Sequence, residues 1–230
     1  MKASQTREPP LPSSFLQPKT MIKILVVDDH IIVREGLKKI LLDTPDMVVA
    51  DEASNGQEVT KKIWNNEYDL ILLDISLPGR SGLDVLKQLK CTKPEVPILI
   101  LSVHPEEQYA LRSLRAGASG YLTKQSAPDE LIGAIRKVAK GRKYITSSIA
   151  EKLAFELEVD SRELPHETLS DREYQVMCMI GSGKAVKEIA ETLYLSVKTI
   201  STHRTHILNK MQMKNNAQLT HYAIKNDLVD

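Results

Sequence analysis

The sequence predicts a doubly wound α/β unit followed by a small all-α unit, and three observations predict it. Short unbroken apolar runs alternate with helix-length segments of mixed polarity over residues 21–142. That alternation stops after Gly141. From residue 167 onward the pattern is wholly helical, beginning with a helix-start signal at Ser170.

The apolar runs are residues 24–27, 47–50, 70–73, 98–101 and the weaker 120–122. Unbroken rather than alternating runs imply strands buried on both faces, as in a parallel sheet sandwiched between helices. Helices are expected over residues 30–42, 56–65, 82–90, 106–116 and 128–140. Five strands and five helices in alternation make a flavodoxin-like doubly wound five-stranded parallel sheet over residues 21–142. Residues 1–20 hold four of the eleven prolines and no periodic apolar pattern, and read as a disordered leader. Residues 143–166 read as a linker with one further helix at 147–157; the stretch 158–167 is acidic and contains Pro165.

Residues 167–230 read as four helices. Ser170 is an N-cap with Glu173 at the third position, a capping box, and Leu169 with Tyr174 forms a hydrophobic staple. Gly181 and Gly183 end that helix. A short helix at 186–193, a turn at Tyr194 and Leu195, a new N-cap at Ser196, a helix at 197–211 and a last one at 216–225 complete the unit.

Composition narrows the function classes. The chain has 230 residues, 42% hydrophobic and 27% charged, an ordinary globular balance. No run approaches the roughly 18 apolar residues of a membrane span, so no membrane partner is expected. Cys91 and Cys178 stand far apart without surrounding His or Cys, which suggests neither a disulfide framework nor a zinc site; a reducing, cytoplasmic setting fits. The formal net charge of +1 argues against non-specific coating of nucleic acid. By segment, residues 1–20 carry +2, residues 21–142 carry 0, residues 143–165 carry −2 and residues 166–230 carry +1. Within the last segment, residues 195–214 hold Lys198, Arg204, Lys210 and Lys214 and no acid, a local hint of a polyanion partner or else a solvated helix face.

Ligands of open parallel sheets bind outside the carboxyl ends of the strands. The first strand ends in Asp28 and Asp29, the third in Asp74, the fourth in Ser102, and Lys124 follows the fifth. An Asp after a strand is, taken singly, an ordinary turn residue. Three carboxylates, a hydroxyl and an ammonium on one edge instead ask for a hard cation such as Mg²⁺ and for phosphate oxygens.

On these residues, with Leu77-Pro78-Gly79 after Asp74 and Gly120-Tyr121-Leu122-Thr123-Lys124, the chain resembles the receiver domain of bacterial two-component response regulators. The resemblance implies that Asp74 is the phosphoacceptor, attacking phosphohistidine on a sensor histidine kinase. It implies Mg²⁺ held by Asp29, Asp74 and the backbone carbonyl of Ser76, with Asp28 acting through a water. Ser102 and Lys124 would hold the phosphoryl oxygens. Tyr121 is either a switch ring that follows Ser102 inward or a plain packing aromatic. Gln125 stands where many receivers have proline. A haloacid-dehalogenase-like phosphatase also uses an Asp nucleophile and Mg²⁺, but it needs a carboxylate two residues after the nucleophile, where Ser76 stands here.

Projected on a wheel, the helix at 197–211 gathers Val197, Ile200, Ile207, Leu208 and Met211 on a core stripe. Lys198, Ser201, Thr202, Thr205 and Asn209 face the other way, short and rich in hydrogen-bonding groups. A short helix, a tight turn and an N-capped second helix form a helix-turn-helix. With Leu169-Ser170-Asp171-Arg172-Glu173, Lys187-Glu188-Ile189-Ala190 and the stretch from Ser196 to His203, residues 167–229 resemble the DNA-binding domain of the LuxR, NarL and FixJ class. That resemblance implies Ser201, Thr202 and Thr205 as base readers and Lys198, Thr199 and Lys210 as phosphate contacts. Arg204 lies beside the core stripe and either reaches a phosphate or pairs within the domain. His203 and His206 read as polar packing rather than metal ligands.

The expectation is a bacterial transcription factor rather than an enzyme, its receiver promoting only its own phosphotransfer and dephosphorylation. Phosphorylation would gate homodimerisation and binding to double-stranded promoter DNA, with RNA polymerase as a candidate contact. An orphan regulator binding DNA regardless of phosphate is the alternative.

Overall fold

The structure, a computed structural model, describes residues 21–158 and 164–229, so the leader expected at 1–20 and part of the expected linker lie outside the described residues. The α/β unit runs β1 (Ile22–Val27), α1 (Ile31–Leu42), β2 (Met47–Ala53), α2 (Gly56–Asn65), β3 (Leu70–Leu73), α3 (Gly82–Thr92), β4 (Ile98–Ser102), α4 (Glu106–Arg115), β5 (Gly120–Thr123) and α5 (Pro128–Ala139). The strands form one parallel sheet in the order β2-β1-β3-β4-β5. Each apolar run therefore feeds two cores by simple alternation. Leu25, Val27, Ile71, Leu73, Ile98 and Ile100 face α2, α3 and α4. Ile24, Val26, Leu70, Leu72, Leu99 and Leu101 face α1 and α5 through Leu37, Leu41, Leu131 and Ile135.

One expectation needs correction. The run at 47–50 is expected to be buried on both faces, yet Val48 is exposed, because among the described residues β2 is the edge of the sheet and only β1 lies beside it. Local chemistry accounts for several helix starts: Asn55 caps α2 by accepting from the backbone N–H groups of Gln57 and Glu58, and Ser81 caps α3 by accepting from Leu83.

The expected helix at 147–157 is α6 (Ser147–Glu158), anchored by buried Ile149 and by a 2.6 Å hydrogen bond from Thr146 to Glu106 of α4. The stretch read as pure linker contains a short 3-10 helix, Pro165–Thr168. Then come α7 (Asp171–Gly181), α8 (Val186–Thr192), α9 (Val197–Lys210) and α10 (Asn216–Lys225). The capping box at Ser170 and Glu173 forms in full. No helix among the described residues is long and apolar enough to cross a membrane.

Every residue of α7 is buried, polar ones included. That follows from its place between two cores. On one side Val176, Met177 and Ile180 join Ile189, Ile200, Ile207 and Leu219 of the helical unit. On the other side α7 meets the α/β unit. Tyr174 donates to the carbonyl of Gln108 at 2.7 Å, and Arg172 donates to the carbonyl of Gly79 at 2.5 Å. Arg112 of α4 donates to the Leu169 and His166 carbonyls and to Asp171, each at 2.9 to 3.0 Å, while its guanidinium sits 4.3 Å from the Tyr174 ring centroid. Lys87 pairs with the same Asp171 at 2.6 Å. The buried Asp171 carboxylate is thus satisfied by two cations from the other unit, which meets the condition under which a charge tolerates burial.

Gly82 opens α3 directly beneath the loop after β3. A Cβ there would lie 2.1 Å from the Asp74 carbonyl oxygen and 2.6 Å from the Ile75 Cα, so only glycine lets the helix start so close to that backbone. Gly82→Ala is expected to lower the unfolding free energy by about 2 kcal/mol or more, as overpacking against an immovable backbone does. Urea denaturation of the two proteins measures it, and a change under about 0.5 kcal/mol, the usual range of a surface substitution, would show that the loop yields freely.

Candidate functional site

The parallel order dictates where the polar residues gather. Because β1 and β3 are neighbours, the residues that follow them, Asp28 and Asp74, stand side by side at the carboxyl edge. Lys124 arrives from the far side of β4, its backbone N–H held by the Ser102 carbonyl at 2.7 Å. Its ammonium lies 2.5 Å from Asp28 Oδ2 and 2.7 Å from Asp74 Oδ2. Both carboxylates are almost wholly buried, at 2% and 1% exposure.

The charges in this cluster are tuned by opposing effects. Burial pushes the Asp74 carboxyl above the usual carboxylate range, against the pull of Lys124. Burial works against the charge of Lys124 as well, but there the carboxylates of Asp74 and Asp28 win and raise its pKa. Both shifts are upward, which disfavours the charged form of Asp74 and favours that of Lys124, because Asp74 is the more deeply enclosed partner; the short contacts to both carboxylates support the ionised pair. Asp28 also accepts from the His30 backbone N–H at 2.9 Å, and Asp74 from that of Ser76 at 3.1 Å.

Asp29 completes the edge. Among the described residues its Oδ1 is buried without a hydrogen-bond partner; His30 Nδ1 stands 2.9 Å away but not in hydrogen-bond geometry. Ligand atoms of Asp28, Asp29, His30 and Asp74 all lie within 4.8 Å of one another, the one such cluster among the described residues. An orphaned carboxylate oxygen beside further carboxylates suits a hard cation, so this acidic cluster could hold a metal.

Around the cluster, Ser102 is fully buried and its Oγ accepts from the His104 backbone N–H at 3.1 Å. Tyr121 is also fully buried, its hydroxyl donating to the His104 carbonyl at 2.8 Å, so the ring lies inward and packs as well. Sequence reasoning did not single out His104. Its Nε2 is 3.2 Å from Ser76 Oγ, and its ring lies 4.8 Å from that of Tyr109, which meets Tyr174 of α7 edge-on at 5.4 Å. Nor did it find His30, or Arg112 and Lys87 as the partners of Asp171. A lone His or Arg on a helix carries no sequence signal of the partner that tertiary packing brings to it.

On α9, Lys198, Ser201, Thr202 and Thr205 are exposed along one face, with Thr199 half-buried at its margin. The hydroxyls of Ser201, Thr202 and Thr205 donate to the carbonyls of Val197, Lys198 and Ser201 one turn back, which leaves their lone pairs outward. Thr199 shares its hydroxyl with the cap Ser196 at 2.8 Å. Lys210 does not stand alone on that face: it pairs with Glu173 of α7 at 2.6 Å. Arg204 pairs within the domain, its Nε donating to Asn216 Oδ1 at 2.6 Å. His206 lies 3.9 Å from Glu173, and burial lowers the pKa of His203.

Val197 departs from the wheel. It was placed on the core stripe with Ile200 and Ile207, yet it is 51% exposed while both isoleucines are wholly buried. Residue 197 is the first residue of α9, at the end of the stripe, and burial begins at Ile200.

Both units match known families. The family model of the response regulator receiver domain matches residues 24–136, and that of bacterial regulatory proteins of the luxR family matches residues 167–223. Response regulator UvrY of Escherichia coli K12 is 40% identical over 209 residues, covering 90% of this chain and 96% of the relative. The oxygen regulatory protein NreC of Staphylococcus carnosus is 37% identical over 216 residues, covering 91% and 100%. Among solved structures, RcsB of Salmonella enterica serovar Typhimurium bound to promoter P1flhDC with the phosphomimetic BeF3− is 26% identical, with a TM-score of 0.56 over 87% of this chain and 97% of that one. A LuxR-family regulator of Aurantimonas sp. SI85-9A1 is 34% identical, with a TM-score of 0.56 over 61% and 100%.

Acid should weaken the fold. Burial holds the imidazole of His166, whose ring nitrogen is 2.8 Å from the Tyr222 hydroxyl, down at about 4. The unfolded chain titrates this group near 6.5, so between the two values the unfolded state binds the extra proton and stability rises with pH. Unfolding free energy is expected to fall from pH 7 toward pH 4.5. His166→Gln should flatten part of that slope, with His104, also held at about 4, supplying more of it. Parallel slopes for variant and wild type in urea titrations would contradict this.

Proposed function

We propose, for a chain that belongs to the response regulators built from a receiver domain and a LuxR-type DNA-binding domain, that phosphorylation of Asp74 gates dimerisation and sequence-specific promoter binding in the cytoplasm. The observation that carries the proposal is the 2.5 Å hydrogen bond from Arg172 of α7 to the Gly79 carbonyl. It ties the loop that follows Asp74 directly to the DNA-binding unit.

In the proposed reaction, a carboxylate oxygen of Asp74 attacks the phosphorus of a phosphohistidine on a sensor histidine kinase. A P–O bond forms, the P–N bond breaks, and the imidazole leaves with the electron pair and takes up a proton. Asp29, Asp74 and the backbone carbonyl of Ser76 would hold Mg²⁺, with Asp28 acting through a water; that ion would offset the charge on the transferring group. Burial excludes bulk water from Asp74. Lys124 already lies against the acceptor oxygen, and Ser102 stands at the end of the adjacent strand, so both can hold phosphoryl oxygens with little reorganisation.

The phosphoryl group brings about −1.5 to −2 charges into a cluster balanced by one ammonium. Lys124 then has to be shared, and the loops that carry Ser76, Gly79 and His104 adjust. Those loops contact α7 through Gly79 to Arg172 and through His104, Tyr109 and Tyr174. Loosening α7 frees the helical unit to pair with a second copy. Two reading helices then meet symmetric half-sites, with Ser201, Thr202 and Thr205 on base edges and Lys198, Thr199 and Lys210 toward phosphates. For Lys210 that requires release from Glu173. The dimeric and promoter-bound states of the RcsB relative support this reading by likeness.

Beryllofluoride with Mg²⁺ is expected to dimerise the wild type and tighten its DNA binding about tenfold or more, and to leave Asp74→Ala unchanged. Sedimentation and fluorescence anisotropy read both effects, and a wild type that responds in neither would sink the gating mechanism. Arg112→Ala removes three hydrogen bonds across the contact and is expected to raise DNA affinity without beryllofluoride by about tenfold, the effect of shifting the closed state by ~1.4 kcal/mol. Unchanged basal affinity would mean that the α7 contact does not restrain the domain.

A further inference from the structure

The reading face of α9 is not purely polar. At its leading end Val197 is 51% exposed, and Tyr194, in the turn just before, is 71% exposed. Tyr194 holds φ at 54°, a left-handed conformation that disfavours a bulky side chain. Two large apolar groups therefore stand in water within four residues of each other, in a unit whose other α9 hydrophobics are buried or half-buried. Neither the core nor the contact with the α/β unit uses them.

Their position is informative. Val197, Ser201 and Thr205 occupy successive turns of one helix face, and the Ser201 hydroxyl donates to the Val197 carbonyl at 2.9 Å. Val197 is thus the first member of the line that continues into the two hydroxyl-bearing base readers. The surroundings are positive, with Lys198 alongside and no acid between residues 195 and 214. In a helix-turn-helix the N-terminal residues of the second helix contact base edges. Serine and threonine hydroxyls can read donors and acceptors, but the C5-methyl of thymine offers neither and is read by apolar contact.

We infer that Val197 is a specificity-determining residue that packs against the C5-methyl of one thymine in each half-site, next to the base pair met by Ser201. The inference rests on the proposed DNA-reading role of α9. A second copy of the chain is a less fitting occupant, because the patch continues a cationic, hydroxyl-lined face complementary to DNA. Branched and stiff at χ1, valine presents its two methyls at a fixed position without further ordering.

The experiment uses the full-length protein with Mg²⁺ and beryllofluoride, and a randomised duplex library from which the wild type selects its preferred sequence. Each thymine of that sequence is then replaced in turn by deoxyuridine, which keeps every hydrogen-bonding group and removes only the methyl. For wild type, one thymine per half-site is expected to show about fourfold weaker binding on replacement, the factor for burying one methyl-sized group. Val197→Ala should lose that penalty and its thymine preference there, while preferences at the other positions persist. Val197→Ser, which offers a hydroxyl and no methyl, makes the same comparison should the alanine variant fail to fold. The inference is overturned if no thymine carries a deoxyuridine penalty in wild type, or if the penalty survives in the folded variant. It is equally overturned if the substitution alters dimerisation without DNA, which would make the patch a protein contact. A wild type that selects no sequence at all would remove the DNA-reading role itself, and this inference with it.

Discussion

Lys124 is the group on which the acidic edge depends. Asp28 and Asp74 follow adjacent strands and are buried side by side, an arrangement that repulsion and desolvation together oppose. One ammonium within 2.7 Å of both makes it tolerable. Removing one partner from such a buried cluster typically costs ~3–5 kcal/mol, because the remaining charges are left uncompensated. The same balance suits the proposed chemistry: a site held by one shared cation is sensitive to any added negative charge.

The second constraint is that α7 belongs to two cores at once. Its apolar residues complete the helical unit, while Asp171, Arg172 and Tyr174 bond to the α/β unit. A change in the loop after Asp74 therefore reaches the DNA-binding unit without a long chain of intermediates, since Gly79 and Arg172 touch. Meanwhile Lys198, Ser201, Thr202 and Thr205 of α9 stay exposed. The α/β unit accordingly contacts the helical unit through α7 and leaves that face of α9 uncovered.

Much of this was legible in the residue pattern. Unbroken apolar runs place β1, β3 and β4 correctly because a strand buried on both faces has no polar alternative, and the Ser170 and Glu173 box marks the start of α7 because its reciprocal hydrogen bonds are local. The convergence of Asp28, Asp29, Asp74, Ser102 and Lys124 was readable for a related reason: in a parallel sheet, every residue after a strand must emerge on the same edge. Val48 and Val197 were misread, since periodicity does not show that β2 is the edge strand among the described residues or that Val197, the first residue of α9, lies beyond the buried part of its stripe.

What the sequence by itself determined, then, is everything governed by periodicity and chain order: the two units, their elements and the list of groups at the strand ends. Only the tertiary structure decided that Lys124 bridges two carboxylates, that Arg112 and Lys87 neutralise Asp171, that His104 links the acidic edge to Tyr109, and that Val197 faces outward. Each of these joins residues distant in sequence or depends on where the buried part of a stripe ends. Side-chain partnership across such separations leaves no local periodicity to read, because it is set by how finished elements pack.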